Sequence, residues 1–351
     1  ITDKTCAIVA VHVYGHICNI EKIEQIAKKH NLVVIYDAAH CFGINYNGRS
    51  IAAYGDASIF SFHATKVFNS IEGGCIVYKD KNKKIQLNSL RNFGIYSEDV
   101  VDYVGINAKM NEFQAAMGLI NLKYIFENIE KRRKLTIYYR NKIDKIPGMK
   151  YFVPQDNSKL NYNYAYMPVI IDRDKCILNR DELYDDLKKN KIYTRKYFYP
   201  LVIDYGCYKD KYGDSKVPIA KKVANNILCF PLYDSLTYDD IDYIFDSINK
   251  IIECKNIKYK IIEKKEISEQ RTKLIDYLKD VDLLLPVPIS EKVNYNDFLT
   301  KIENNGKILC ACNEKNEIIG TIFFYDNCEE AFITLFVIRK EYQNMNVGTK
   351  L

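Results

Sequence analysis

Leu32-Val33-Val34-Ile35-Tyr36-Asp37-Ala38-Ala39-His40 reads as a buried strand that ends on a carboxylate. The run Leu32 to Tyr36 has no polar residue, the pattern of a parallel strand covered on both faces. A carboxylate at the end of such a strand needs a cation, because an unpaired buried charge is very costly. A second strand-like run, Ala57-Ser58-Ile59-Phe60-Ser61-Phe62, leads through His63-Ala64-Thr65 to Lys66 and supplies one.

Working outward from this pair, Cys6 to Val11 reads as another buried strand. Glu21 to His30 has Ile23 and Ile26-Ala27 on one face and reads as an amphipathic helix. Cys75 to Tyr78 is a further strand. The alternation predicts an α/β layered sheet. In such sheets ligands sit beyond the carboxyl ends of the strands, where Asp37 and Lys66 both fall. A helical pattern runs from Lys109 to Ile143, and Pro147-Gly148 closes it. A smaller α/β domain follows, with strands at Ala165 to Ile171 and Asn226 to Phe230, and helices at Asn179 to Asn190 and Tyr238 to Ile252.

One cofactor uses both a lysine and a carboxylate. Pyridoxal phosphate takes a lysine on its aldehyde and an acid on its ring nitrogen. Around these two residues stand Asp37-Ala38-Ala39-His40, Phe42-Gly43, Gly48-Arg49, Gly55-Asp56, Phe60-Ser61-Phe62, Lys66 and Glu72-Gly73-Gly74, in that order. Leu90-Arg91-Asn92-Phe93-Gly94 and Gly105-Ile106-Asn107-Ala108-Lys109-Met110-Asn111-Glu112 follow. The ordered set resembles the DegT/DnrJ/EryC1/StrS sugar aminotransferases of pyridoxal-phosphate fold type I, over roughly residues 1 to 253.

The resemblance implies a role for each residue. Lys66 would be the Schiff-base lysine and the proton shuttle. Asp37 would hold the ring nitrogen protonated, Ala39 would pack on the ring face, and His40 would stand beside the phenolic oxygen. Ser61 would bind the phosphate, and Asn107 would reach the phosphate of a partner subunit, which implies a homodimer with shared sites. Thr194-Arg195-Lys196-Tyr197-Phe198-Tyr199-Pro200-Leu201 resembles the family's substrate-side loop. Family members begin with a segment that has no counterpart here, and both ends of this chain, Ile1 and Leu351, look cut.

A new unit starts near Lys255. Ile257 to Ile262 alternates as a strand, Ser268 to Lys279 reads as a helix with Ser268 as N-cap, and Asn294 to Glu303 is a second helix. Ile308 to Cys312, Ile318 to Tyr325 and Ala331 to Val337 read as three antiparallel strands. The order resembles the GCN5-related N-acetyltransferase fold. Its pyrophosphate loop would be Gln343-Asn344-Met345-Asn346-Val347-Gly348, opening a helix whose backbone amides would bind acetyl-CoA. Asn346 stands where that family usually has glycine, and must then take positive φ. The expected organisation is a large-domain part at 1–145, a small domain at 146–254 and an α+β acetyltransferase-like domain at 256–351.

Bulk properties narrow the alternatives. The net charge of +6 is spread among interleaved acids and bases, so no basic tract asks for nucleic acid. The 11 cysteines include no Cys-x-x-Cys pair, which argues against a zinc site or a disulfide framework and for a reducing, cytoplasmic setting. No run nears the ~18 apolar residues of a membrane span, and no signal peptide is visible. The histidines have no spacing that demands a metal.

The function the family resemblance implies is transamination of a nucleotide-linked 4-keto-6-deoxyhexose, with glutamate as donor. N-acylation of the new amine would follow, for surface polysaccharide. The alternatives are a pyridoxal-phosphate sugar dehydratase, whose members carry histidine in place of the lysine, and a non-catalytic binding or regulatory protein on the same fold.

Overall fold

The computed structural model describes residues 1–154, 158–326, 330–343 and 345–351. The chain groups into two units, Ile1–Asp242 and Tyr243–Leu351.

The first unit is built on four strands, β1 (Ala7–Val11), β2 (Val33–Asp37), β3 (Ala57–Ser61) and β4 (Gly74–Tyr78), adjacent in that order. β2 lies parallel to both β1 and β3, and β4 closes the row antiparallel. The crossover from β1 to β2 is the helix Ile20–His30. Asn19 starts it by accepting the Lys22 N–H, Asn31 ends it in the left-handed region, and Lys28, Lys29 and His30 lie at its negative end. Ile20 and Ala27 are its buried contacts.

Register puts Val11, Asp37 and Ile59 abreast, so the carboxylate sits at the common edge of three strands. Asp56 pins the start of this arrangement. Its Oδ2 accepts the Val34 N–H at 2.7 Å and its own N–H donates to Val34 O. Gly55 before it has φ +69°, and a Cβ there would stand 2.8 Å from the Tyr36 ring.

β2 differs from its expected two-sided burial. Val34 and Tyr36 are buried, whereas Val33 is exposed. Val9, Val11, Ile59 and Ile76 are exposed as well, so an apolar sheet face stands open to solvent.

The single helix expected from Lys109 to Ile143 is two helices, Glu112–Leu122 and Ile125–Ile143. Asn111 and Gln114 form a capping box that sets the start. At the break the Lys123 and Tyr124 N–H groups bond three residues back, to Ile120 O and Asn121 O, a tight turn made without Pro or Gly.

A second sheet, order β7-β6-β5, contains β5 (Met149–Tyr151), β6 (Met167–Ile171) and β7 (Ile227–Phe230), all antiparallel. β7 is buried throughout. Helices Gly206–Tyr212 and Pro218–Asn226 have no counterpart in the sequence reading, because their mostly exposed residues carry no clear burial period.

The helix Tyr238–Asn256 runs through the division between the units. The second unit contains β8 (Lys258–Ile262), β9 (Lys307–Cys312), β10 (Ile318–Tyr325) and β11 (Phe332–Ile338), antiparallel in that order. Helices Arg271–Val281 and Tyr295–Asn305 cover the sheet with Leu274, Tyr277, Leu278, Leu299 and Ile302 against Ile308, Cys310 and Phe323.

The expected cap at Ser268 is wrong. Glu263 and Glu266 make a capping box that starts a helix at Lys264, Ser268 lies inside it, and a second helix begins at Arg271. Asn294 does cap its helix, accepting the Asn296 N–H at 2.8 Å. Among the described residues no helix is long and apolar enough to cross a membrane, and no acid, His or Cys cluster could hold a metal. The ten described cysteines are free.

Candidate active site

Asp37 is the last residue of β2. Its backbone carbonyl accepts the His12 N–H at 3.0 Å, and its Oδ1 accepts the Ala39 N–H at 3.0 Å. The second bond folds the chain sharply over the strand end. Lys66 follows β3 through a turn closed by its own N–H on His63 O at 2.9 Å. The Lys66 Nζ donates to the Tyr166 hydroxyl at 3.5 Å. Burial lowers the lysine pKa, and the Asp37 charge opposes that shift.

His40 lies in the same field. Burial, then the Lys66 charge, push its pKa down to about 4, with Asp37 opposing. Its Nδ1 accepts the Tyr14 N–H at 2.9 Å, so the ring is neutral and carries its proton on Nε2. His12 is fully buried and repeats the arrangement. Its Nδ1 accepts the Cys18 N–H, its ring stacks on Tyr36 at 4.6 Å, and burial pushes its pKa down to about 4 against the pull of Asp37. Among the described residues the His12 Nε2 has no hydrogen-bond partner.

An aromatic wall rises beside His40. Tyr166 meets the imidazole edge-on at 4.9 Å, and Phe198 stacks parallel to it at 5.7 Å, 7° from coplanar. Phe198 also stacks on Tyr14, whose hydroxyl donates to Tyr197 O. The fully buried Asn163 donates from Nδ2 to His40 O and Phe42 O, and Tyr162 donates to Tyr14 O at 2.6 Å. The loop thought to face substrate, Thr194 to Leu201, therefore reaches the strand-end residues through Tyr197 and Phe198.

Lys66 also borders a polar cavity of about 270 Å³, lined among others by Asn69, Asn121, Asn128, Arg132 and Asp234. Arg132 is largely buried and gives one N–H to Leu232 O at 2.7 Å. Burial lowers its pKa, and Asp234 opposes the shift.

Of the residues singled out from sequence, Asp37, His40 and Lys66 act electrostatically on one another. Ala39, half-buried, is tied to Asp37 by its N–H. Ser61 ends β3 and accepts the His63 N–H at 3.3 Å. Asn107 is exposed, bridged to Asn92, and accepts from the Lys109 ammonium at 3.1 Å. Gly73, at φ +147°, leaves no room for a Cβ, which would meet Met110 and Ser70 at 2.7 Å.

In the second unit, Gln343 donates from Nε2 to Ile338 O, Met345 is half-buried, Asn346 has φ 56°, and Val347 and Gly348 open the helix Val347–Lys350. Asn344 lies outside the described residues. Sequence reasoning did not single out Tyr14, Tyr162, Asn163 or Tyr166. They are distant in the chain from the residues they support, and no motif spacing marks them.

The profile of the DegT/DnrJ/EryC1/StrS aminotransferase family matches residues 1–249. A dTDP-4-amino-4,6-dideoxy-D-glucose transaminase of Shigella dysenteriae is 39% identical over 251 residues, covering 72% of this chain and 68% of that protein. An Escherichia coli transaminase of the same name is 42% identical over 241 residues, covering 67% and 64%. The chain thus spans about two thirds of the length of these relatives. Among solved structures, DesI with its TDP-sugar product superposes with a TM-score of 0.65 at 33% identity, over 71% of this chain and 62% of that one. With the ordered strand-end residues and the matched profile in agreement, the chain belongs to the DegT/DnrJ/EryC1/StrS aminotransferase family.

Proposed function

We propose that this protein is a pyridoxal-phosphate-dependent nucleotide-sugar aminotransferase that aminates C4 of a nucleoside-diphosphate 4-keto-6-deoxyhexose, with glutamate as donor. The observation that carries the reading is placement: Asp37 ends β2, Lys66 follows the adjacent parallel strand β3, and His40 follows Asp37, all at the same carboxyl edge of the sheet. The names of the Shigella, E. coli and DesI relatives support the sugar class.

The donor set fits pyridoxal phosphate. A half-buried carboxylate, a half-buried lysine, a small residue hydrogen-bonded to the carboxylate and a neutral imidazole suit the ring nitrogen, aldehyde, ring face and phenolic oxygen. Asp37, Ala39, His40, Ser61 and Lys66 would hold the group in this chain, and Asn107 of a second copy would add to its phosphate. Exposed apolar residues around Asn107, including Val104, Ile106 and Phe113, support a homodimer.

When bound, the cofactor supplies an electron sink for the carbanion made as a proton leaves the donor. The residues of this chain do the rest. Lys66, with a pKa lowered by burial, is closer to the neutral base that can take that proton and return it to the sugar carbon. Asp37 keeps a negative charge where a protonated ring nitrogen needs one. His40 presents its Nε2 proton as a donor. Tyr166 and Phe198 line His40 with ring surface, edge-on and parallel respectively. The cavity holding Arg132 supports admission of a carboxylate-bearing donor beside Lys66.

The second unit supports an acyl-CoA-dependent N-acetyltransferase reading. Its strand order is one strand, helices, then three antiparallel strands. Asn346 takes the positive φ expected of it. A bulge leaves Thr334 unpaired between Leu335 and Ile333, which bends β11. The amine made by the first activity would be the acceptor for the second.

One experiment tests the main reading. The full-length protein loaded with pyridoxal phosphate should show an absorbance band near 400–430 nm that shifts on adding glutamate, and nitrogen-15 from labelled glutamate should appear on the sugar. A band that glutamate leaves unmoved would favour a binding protein. Water loss from the sugar without nitrogen transfer would favour the dehydratase.

A further inference from the structure

Arg180 is 1% exposed and sits at the first position of the helix Arg180–Lys189. A cation there has the wrong sign for the helix dipole, unlike its neighbours Asp181 and Glu182. Burial of a guanidinium is costly unless its N–H groups and charge are matched. Here they are matched in part. Nη1 donates to Ala224 O at 2.8 Å and reaches Ile227 O at 3.3 Å. Nε stands 2.9 Å from Asp181 Oδ1, an ion pair without an aligned hydrogen bond.

The guanidinium carbon has a separate partner. This Cζ lies 4.6 Å from the centre of the Tyr199 ring. Tyr199 follows Phe198 directly, and the Tyr199 N–H closes a turn on Lys196 O at 2.8 Å. Lys196 pairs with the same Asp181, and its Nζ lies 4.4 Å from the Tyr184 ring. At the other end of the segment, Arg195 exchanges two backbone hydrogen bonds with Cys229 of β7. The segment from Arg195 to Tyr199 is therefore held at both ends, by a backbone bridge and by the Arg180–Asp181–Lys196 group. Phe198, between the two, is the ring that lies parallel to His40.

We infer that Arg180 is a positioning residue for the aromatic wall of the active site: its guanidinium holds Tyr199 and thereby sets Phe198 against His40. Arginine suits this task and lysine does not, because only the planar fork can bond two carbonyls, pair with a carboxylate and present a face to a ring. The functional meaning, a wall that closes over the acceptor's sugar ring, rests on the aminotransferase reading. The geometric claim is testable without it.

The chain has no tryptophan, so Phe198→Trp introduces a single emitting indole into the wall. Phe198 is 43% exposed, so in that background and without cofactor Arg180→Met should shift the emission to the red and raise acrylamide quenching by up to about twofold. Arg180→Lys should not rescue it, and Tyr199→Leu should produce the same change with Arg180 intact. In the loaded enzyme, Arg180→Met should raise KM for the nucleotide sugar more than it lowers kcat. If Arg180→Met lowers the melting temperature but leaves the indole's emission and quenching at the parent values, Arg180 only anchors its helix and the inference is wrong. If Arg180→Met does not fold, the half-exposed Tyr199 decides: unchanged quenching in Tyr199→Leu overturns the inference. The cofactor-free fluorescence result stands whether or not transamination is found.

Discussion

The Lys66 ammonium and the Tyr166 hydroxyl stand 3.5 Å apart, at the long limit of a hydrogen bond. Burial acts on both, lowering the pKa of the lysine and raising that of the tyrosine. Tyr166 therefore stays protonated while Lys66 is moved toward the neutral form. Reduction of the loaded protein with borohydride should leave the pyridoxyl group on Lys66, found by peptide mapping. Lys66→Ala should lose turnover, and Tyr166→Phe should lower it by no more than about tenfold, the scale of one hydrogen bond at its long limit. An adduct on another lysine, with activity in Lys66→Ala, would be decisive against the assignment.

Asp37→Asn keeps the shape of the strand end and the bond to the Ala39 N–H but removes the charge. A charge-assisted hydrogen bond is roughly twice as strong as a neutral one, and the electron sink depends on the protonated ring. Turnover should fall by orders of magnitude while cofactor absorbance is retained. Wild-type turnover in this variant would refute the role.

His12 and His40 each have a pKa pushed down to about 4 from 6.5, chiefly by burial. The unfolded chain therefore binds more protons than the fold between those two values. Stability should be full above pH 6.5 and should fall as pH drops toward 4. At about 1.4 kcal/mol per unit, each ring contributes roughly 3 kcal/mol as an upper bound. Protonation would also cancel the bonds that Nδ1 accepts from Tyr14 and Cys18. Melting temperatures measured from pH 7.5 to 4.5 should fall in the parent and fall less steeply in His12→Asn. Parallel curves for the two proteins would contradict the burial argument.

Asn346 holds φ 56°, ψ 16° immediately before the last helix. That conformation costs a non-glycine residue about 1 kcal/mol. Asn346→Gly should leave the second unit as stable or slightly more so. Asn346→Val should destabilise it, since a branched residue resists positive φ. If the loop binds a pyrophosphate, titration calorimetry with acetyl-CoA should show binding in the parent and in Asn346→Gly, weakened in Asn346→Val. Heat absent at millimolar acetyl-CoA would leave only the aminotransferase.

The candidate pair was readable because Asp37 ends one hydrophobic run and Lys66 lies just beyond the next, within the ordered residues that carry the family resemblance. Asn346 was legible because its strain is local. Tyr166 was not, and Phe198 was legible only as part of a segment resembling the family's substrate-side loop, since both meet His40 only after the second sheet is formed. The helix break at Lys123-Tyr124 was equally hidden, because both residues propagate helix well and the interruption lies in bonding three residues back. Burial of β2 was overread, because an apolar run does not say how many faces are covered.

The contact between Phe198 and His40 joins two segments by ring faces alone. Asp37 and Lys66 stand on or just beyond strands of the parallel sheet, held there by backbone bonds. The Arg195 to Tyr199 segment is different. A change of ring size or polarity at Phe198 alters what the pocket admits and breaks no bond in the parallel sheet. Under the proposed function, directed evolution of acceptor range should accumulate its substitutions in this segment before it changes Asp37 or Lys66.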